Sequence, residues 1–204
     1  DTRKYKKILV TGPNANNQSI MGDWVFEQPE KNVSTILEGI KEEASGTQIN
    51  YVDVGWNMRA LDSAKIEEAI QTAKSSDLAI VIVGEDSFRQ HWKEKTCGEN
   101  RDRMDITLWG KQDYLVESIY KTGVPTIVIL INGRPLATRW IAENIPAVIE
   151  AWEPGSMGGK AIAEILFGKV NPSGKLPITI PRHVGQISTV YNHKPSQFLH
   201  PYID

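Results

Sequence analysis

The sequence predicts an α/β protein, a three-layer α/β/α sandwich on a largely parallel sheet of about six strands, one of them an edge strand. Residues 78–84 (LAIVIVG) and 126–131 (TIVILI) are almost continuously apolar, which is typical of strands covered on both faces. Segments with apolar residues at helical spacing separate the predicted strands. Each connection is therefore expected to be a right-handed crossover between parallel strands.

Short runs rich in apolar and β-branched residues are predicted to be the central strands. They cover residues 7–12, 49–54, 78–84, 126–131 and 147–151. One further segment, NPSGKLPITIP at residues 171–181, contains too many prolines for a central strand, because proline donates no hydrogen bond to a neighbouring strand. We expect this segment at an edge of the sheet.

Helices are predicted where apolar side chains recur three and four residues apart between these strands. They cover residues 33–44, 63–73, 112–122, 136–142 and 160–167. Gly46 and Gly123 follow two of these helices and supply stop signals, since glycine readily adopts the left-handed conformation at a helix end. The alternation of strands and helices completes the doubly wound pattern.

The composition fits one domain, with 204 residues, 40% of them hydrophobic and 24% charged. We expect residues 1–6 to end a linker, residues 7–183 to form the sandwich and residues 184–204 to form an extended tail. A formal net charge of -2 offers no basic surface for nucleic acid or anionic membranes, so neither partner is expected. The start of the chain lacks the apolar core of a signal peptide, and the chain is expected to be a piece of a longer protein.

A long polar loop, residues 84–103, follows the most apolar predicted strand and is bracketed by two acids, Glu85 and Glu99. Ligands of open parallel sheets bind outside the carboxyl ends of the strands, which is where this loop is expected. Long loops in compact domains are usually functional or disordered. A functional loop is favoured, with a solvated insertion as the alternative.

Several chemistries fit the sequence poorly. No GxGxxG follows the first strand, GPNANN is not a P-loop, and the glycine-rich segment 155–159 lacks the GxSxG spacing of a serine nucleophile. The glycines of that segment are expected to serve close helix–sheet packing. The four histidines are dispersed, so no metal site is predicted, and no cofactor is expected. They are His91, His183, His193 and His200.

Carboxylates, arginines and tryptophans remain as candidate functional residues, and their combination suits the binding of carbohydrate. Indole rings stack on the C–H faces of sugars, and carboxylate–arginine sets hydrogen-bond to hydroxyl groups, although tryptophan is also a common core residue. Five tryptophans fall at or near predicted strand exits: Trp24, Trp56, Trp92, Trp109 and Trp152. Either role is open for each of them on this ground alone.

Longer sequence blocks resemble the C-terminal α/β-sandwich domain of glycoside hydrolase family 3, most closely its bacterial β-glucosidase branch. The resemblance runs from about residue 7 to residue 195, and the NPSGKLPITIPR block is its most specific part. The matching blocks are KILVTGPNAN, GDW, LAIVIVGE, GENRDRMDITLWGKQDYL, VILINGRPL, IEAWEPGSMGGKAIAEILFGKVNPSGKLPITIPR and VYNHKP.

The resemblance implies a retaining exo-β-glycosidase whose active site is shared between two domains. An N-terminal (β/α)8 barrel would supply the aspartate nucleophile, and this domain the general acid/base. The family's glutamate lies just before an Arg-x-Asp-Ile, which here begins at Arg103 and places Glu99 in that role, with Glu85 as second choice. Trp24 resembles a tryptophan at the subsite of the leaving group. Arg103 would either contact sugar or hold the loop by ion pairing, and ion pairing is the favoured role.

The implied substrates are β-glucosides or short β-linked oligosaccharides, and the implied partner is the barrel of the same polypeptide. A barrel typically takes about 250 residues, so this chain alone is expected to be inert. The family implies a periplasmic or secreted location. Two alternatives remain open: a non-catalytic carbohydrate-binding or structural domain, and specificity for β-xylosides or N-acetylglucosaminides.

Overall fold

The computed structural model describes residues 4–186, and its centre is a five-stranded parallel sheet in the order β2-β1-β3-β4-β5. The strands are β1 (Lys7–Thr11), β2 (Gln48–Val52), β3 (Leu78–Gly84), β4 (Thr126–Ile131) and β5 (Ala147–Glu150). Every neighbouring pair is parallel. All five strands therefore end at the same edge of the sheet.

Helices cover both faces of the sheet and confirm the three-layer sandwich. They are α1 (Ile36–Glu43), α2 (Ser63–Lys74), α3 (Gln112–Tyr120), α4 (Arg139–Asn144) and α5 (Gly158–Leu166). Alternate residues of β3 point to opposite layers: Val81 packs with α2, α3 and α4, whereas Ile80 packs with α1 and α5. The complete burial of β3 explains why its sequence shows no polar alternation.

Within residues 4–186 the sheet has five strands, where about six were expected. Residues 171–181 are described but form no strand, and the described sheet has β2 and β5 as its edges. Pro172, Pro177 and Pro181 give this segment three positions without a backbone N–H. The C-terminal tail expected at residues 184–204 lies mostly outside the described residues.

Helix α1 begins three residues later than its apolar pattern suggests, because a capping box defines its start. The Thr35 hydroxyl accepts the N–H of Glu38, and the Glu38 carboxylate accepts the N–H of Thr35. Val33 therefore lies before the helix, although its buried side chain belongs to the same core.

The glycine-rich segment at residues 155–159 packs two helices together rather than a helix against the sheet. A Cβ on Gly159 would overlap the carbonyl oxygens of Ser34 and Thr35, and one on Gly39 would overlap the backbone of Gly159. The Gly159 N–H donates to Ser34 O at 2.9 Å. These glycines thus set the close approach of α5 to α1, and packing explains them without any anion.

The loops that follow β1, β3, β4 and β5 meet at the carboxyl edge of the sheet. A hydrogen bond of 2.7 Å from Glu85 N–H to Ile131 O joins the ends of β3 and β4, and one of 3.1 Å from Asn132 N–H to Trp152 O joins β4 to β5. In residues 4–186, no helix combines the length and apolar character needed to cross a membrane.

Candidate active site

Glu85 lies directly after β3 and is fully enclosed. Its side chain is 0% exposed, with Oε1 2.7 Å from Arg103 Nη1 and Oε2 3.3 Å from Arg134 Nε. Burial raises the pKa of Glu85, and the two guanidinium groups together with the Cys97 thiol oppose that shift. Both carboxylate oxygens thus face arginines, and the residue ties the loop after β3 to the loop after β4.

Arg103 lies in the same buried cluster. Besides the Glu85 pair, its Nη2 donates to Thr107 O at 2.7 Å, and its guanidinium lies 4.6 Å from the centre of the Trp109 ring. The guanidinium carbon of Arg59 also lies 4.1 Å from the centre of the Trp109 ring. This placement favours the loop-holding role of Arg103 over contact with sugar.

Glu99 occupies the opposite, open side of the loop. Its side chain is 41% exposed, and Oε2 lies 3.2 Å from Arg89 Nη1. The residues on either side of it take left-handed backbone conformations, with φ of 86° at Gly98 and 59° at Asn100. The loop therefore turns sharply at Glu99 and presents its carboxylate to solvent at the carboxyl edge of the sheet.

Trp24 is the most exposed tryptophan at this edge, at 72%. Arg89 stacks over its ring with 3.9 Å between the guanidinium carbon and the ring centre. The same Arg89 pairs with Glu99, so one cation links the exposed ring and the exposed acid. The structure thus brings Trp24 and Glu99 together and separates both from the buried Glu85 and Arg103.

Asp23 joins the Trp24 loop to the Glu99 loop, and the sequence interpretation did not single it out. Its Oδ2 accepts the N–H of Glu99 at 2.5 Å and Lys95 Nζ at 3.0 Å, and its Oδ1 lies 3.5 Å from Arg89. Burial raises the pKa of Asp23, but the hydrogen bonds from Glu99 and Lys95 and the charges of Lys95 and Arg89 outweigh it and lower the pKa overall. The sequence signal that could have pointed to Asp23 was its position beside Trp24 in the GDW motif.

The stretch between the two acids is packed rather than a loose insertion. His91 ends a 3-10 turn at Arg89–His91. Its Nδ1 lies 2.5 Å from Asp86 Oδ2, and its ring stacks on Trp56 with 3.9 Å between the ring centres. The carbonyl of Asp86 accepts the N–H of Thr96 at 2.7 Å. Only Trp56 lies on a separate loop, so no local pattern could have predicted its contact with His91.

Glu153 approaches the same edge from the loop after β5. Its Oε1 accepts the Ser87 hydroxyl, and its Oε2 would lie 2.8 Å from a Cβ at Gly22. Among residues 4–186, no group of three or more His, Cys, Asp and Glu side chains is arranged to hold a metal ion. The site thus has an exposed carboxylate on Glu99 and an exposed aromatic ring on Trp24, with hydrogen-bonded polar side chains such as Asp23 beneath them.

Comparisons with known proteins agree with this architecture. The model of the glycosyl hydrolase family 3 C-terminal domain matches residues 2–202. A β-xylosidase of Formosa agariphila is 40% identical over 96% of this chain, and a periplasmic β-glucosidase of Salmonella typhimurium is 34% identical over 99% of it. A β-glucosidase structure from Erythrobacter marinus covers 100% of the chain with 33% identity and a TM-score of 0.79.

The chain spans less than a third of each of these proteins. It covers 27% of the Formosa protein, 30% of the Salmonella protein and 30% of the Erythrobacter structure.

Proposed function

The chain belongs to glycosyl hydrolase family 3 as its C-terminal domain, and from that membership we propose that it supplies the general acid/base of a retaining exo-β-glycosidase. The observation that carries the proposal is the placement of Glu99, an exposed carboxylate on an anchored loop beside the exposed Trp24 ring. The nucleophile would come from a barrel domain of the same polypeptide.

The proposed reaction follows the retaining mechanism, which needs two carboxyl groups about 5–5.5 Å apart. The barrel carboxylate attacks the anomeric carbon while protonated Glu99 gives its proton to the glycosidic oxygen, so the leaving group departs as an alcohol. Ionised Glu99 then takes a proton from water, which attacks the same carbon and releases the nucleophile. Glu99 regains its proton in this second step.

The burial of the two acids supports Glu99 over Glu85 for this role. A proton donor must come within hydrogen-bond reach of the leaving oxygen. Glu85 is 0% exposed and holds two arginines, whereas Glu99 is 41% exposed and has one guanidinium partner on its carboxylate. If the Glu85 side chain moved out to reach a glycosidic oxygen, Arg103 would remain buried without its carboxylate partner.

Trp24 would form the platform for the leaving-group sugar. Arg89 covers one side of its ring, and the 72% exposure of the residue leaves surface for a sugar. Arg89 would orient the platform and the acid relative to each other, because it contacts both.

We propose β-glucosides or short β-linked oligosaccharides as substrates, with release of terminal glucose. Relatives named β-glucosidase and β-xylosidase are both similar to this chain, and the β-xylosidase name favours xylosides as a second candidate. The name of the Salmonella relative supports a periplasmic or secreted location. Because the nucleophile would lie on the barrel, this chain alone would be inert.

The test replaces Glu99 in the polypeptide that carries the barrel. Glu99→Gln should lower kcat/KM for phenyl β-glucoside by on the order of 10²–10⁴-fold and change it little for 2,4-dinitrophenyl β-glucoside, whose leaving group needs no proton. In Glu99→Ala, kcat for this activated substrate should fall, because water must attack the glycosyl-enzyme without its general base. Azide needs no base, so it should restore kcat and yield the β-glucosyl azide.

Glu94→Gln serves as the matched control because it removes a carboxylate from the same loop. If Glu99→Gln behaves like this control, Glu99 is not the acid/base. A loss confined to Glu85→Gln, with azide rescue in Glu85→Ala, would transfer the role to Glu85. Turnover of an aryl glucoside by the 204-residue chain alone would contradict the two-domain proposal.

A further inference from the structure

The carboxylate of Asp23 contacts three residues of the loop after β3 at the base of Glu99. It accepts the Glu99 N–H at 2.5 Å and the Lys95 ammonium at 3.0 Å on the same oxygen, and Arg89 approaches its other oxygen at 3.5 Å. Asp23 belongs to the loop after β1, 76 residues from Glu99. The position of the Glu99 backbone therefore depends on a side chain from another strand's loop.

Gly98 makes this approach possible. Its φ of 86° lies in the left-handed region, and a Cβ built there would lie 2.6 Å from Asp23 Oδ2 and 3.2 Å from the Ser87 Cβ. Any larger residue would push Asp23 away from the Glu99 amide. The glycine thus serves the contact between Asp23 and Glu99 as well as the turn.

Lys95 pairs with the same oxygen of Asp23 that accepts the Glu99 N–H. Its side chain is 0% exposed, and its ammonium also lies 4.3 Å from the centre of the Trp92 ring. A buried ammonium group is strongly destabilising unless an anion pairs with it. The backbone N–H of Lys95 donates to His91 O at 2.7 Å. The segment between Glu85 and Glu99 thus holds the Lys95 side chain beside Asp23.

We propose that Asp23 is a positioning residue for Glu99, and that Lys95 holds the Asp23 carboxylate in place for this purpose. The inference rests on the proposed function of Glu99. A catalytic group displaced by about 1 Å can lose roughly 100-fold in rate. Fixing the Glu99 amide leaves its side chain free to turn toward the glycosidic oxygen while its origin stays constant.

The experiment compares two substrates in the barrel-containing polypeptide. Asp23→Ala should lower kcat/KM for phenyl β-glucoside by roughly 10- to 100-fold and leave that for 2,4-dinitrophenyl β-glucoside within about threefold, because only the first needs a well-placed acid. Lys95→Met should also lower kcat/KM for phenyl β-glucoside relative to kcat/KM for 2,4-dinitrophenyl β-glucoside. Amide hydrogen exchange of residues 98–100 should accelerate in both variants, a readout independent of activity.

Asp62→Ala is the matched control, since Asp62 also accepts backbone N–H groups but caps α2. It should lower the melting temperature without changing the substrate ratio. Equal losses on both substrates in Asp23→Ala, or no loss, would overturn the positioning role. Asp23→Asn, which keeps the shape but loses the charge, applies the same test if the alanine variant does not fold.

The Glu99→Gln variant separates this inference from the proposed function. If Glu99→Gln shows the leaving-group dependence and Asp23→Ala does not, only the positioning role fails. If Glu99→Gln itself shows none, the proposed function fails and the positioning role fails with it.

Discussion

Arg103 Nη1 lies 2.7 Å from Glu85 Oε1, and this buried pair joins the end of β3 to a residue 18 positions further along the loop. The pair closes the loop on itself, so that the acid nearest the strand is enclosed and Glu99, near the far end, remains open to solvent. The two acids that bracket this loop in the sequence thus have different surroundings.

Removing the arginine of this pair should destabilise the fold strongly. We expect Arg103→Met to lower the free energy of unfolding by about 3–5 kcal/mol, because it leaves a buried carboxylate without its nearest partner. Urea unfolding of the protein measures this change. Lys121→Met breaks a pair whose lysine is 67% exposed and should cost less than about 1 kcal/mol; equal costs would show that the Glu85 pair is not buried in solution.

The carboxyl group of Glu150 should make stability depend on pH. Burial raises its pKa to about 7, against hydrogen bonds from Trp152 N–H and Asn132. A raised pKa means that the protonated form fits the fold better, so this stabilisation is complete below the unfolded pKa of about 4.3 and is lost as the pH rises through about 7.

Glu150→Gln mimics the protonated carboxyl at every pH and keeps the oxygen that accepts Trp152 N–H. The melting temperature of the wild type should therefore fall relative to this variant between about pH 5 and pH 8, by roughly 2–4 °C for each kcal/mol. Calorimetry across this range measures the difference. If the melting temperatures of the two proteins change with pH in the same way, Glu150 ionises normally.

The contact between α1 and α5 should not tolerate a side chain at Gly159. Gly159→Ala would place a methyl group against the carbonyls of Ser34 and Thr35 and should cost about 1–3 kcal/mol or more through overpacking. Gly174→Ala is the control, because no atom lies within 4 Å of the position that a Cβ would take there. A similar unfolding midpoint for the two variants would contradict the close helix approach.

Trp24 should matter more for substrates with a sugar leaving group than for those without one. Loss of ring stacking in Trp24→Ala is expected to cost about 0.5–1.5 kcal/mol, or roughly 2- to 12-fold in kcat/KM, for a β-linked disaccharide and less for methyl β-glucoside. Phe26→Ala removes another exposed aromatic from the same loop and should leave the ratio of the two substrates unchanged. An unchanged ratio in Trp24→Ala would remove Trp24 from the leaving-group subsite.

Local sequence patterns were sufficient for most of the architecture. The apolar run at 78–84 became β3 with the bounds expected, and the helical spacing at 63–73 became α2 with one added residue. These features depend on side-chain periodicity within a few consecutive residues. The edge strand at 171–181 did not form, since an edge must also find a partner elsewhere in the chain.

The sequence by itself determined the fold class, the family resemblance and the loop on which Glu99 lies. Only the tertiary structure decided that Glu85 is enclosed by Arg103 and Arg134, and that Asp23 meets Lys95 across 72 residues and Glu99 across 76. The physical reason is that strand and helix formation follow from neighbouring residues. The burial and charge partners of a loop side chain depend on which other loops the parallel sheet brings to the same edge.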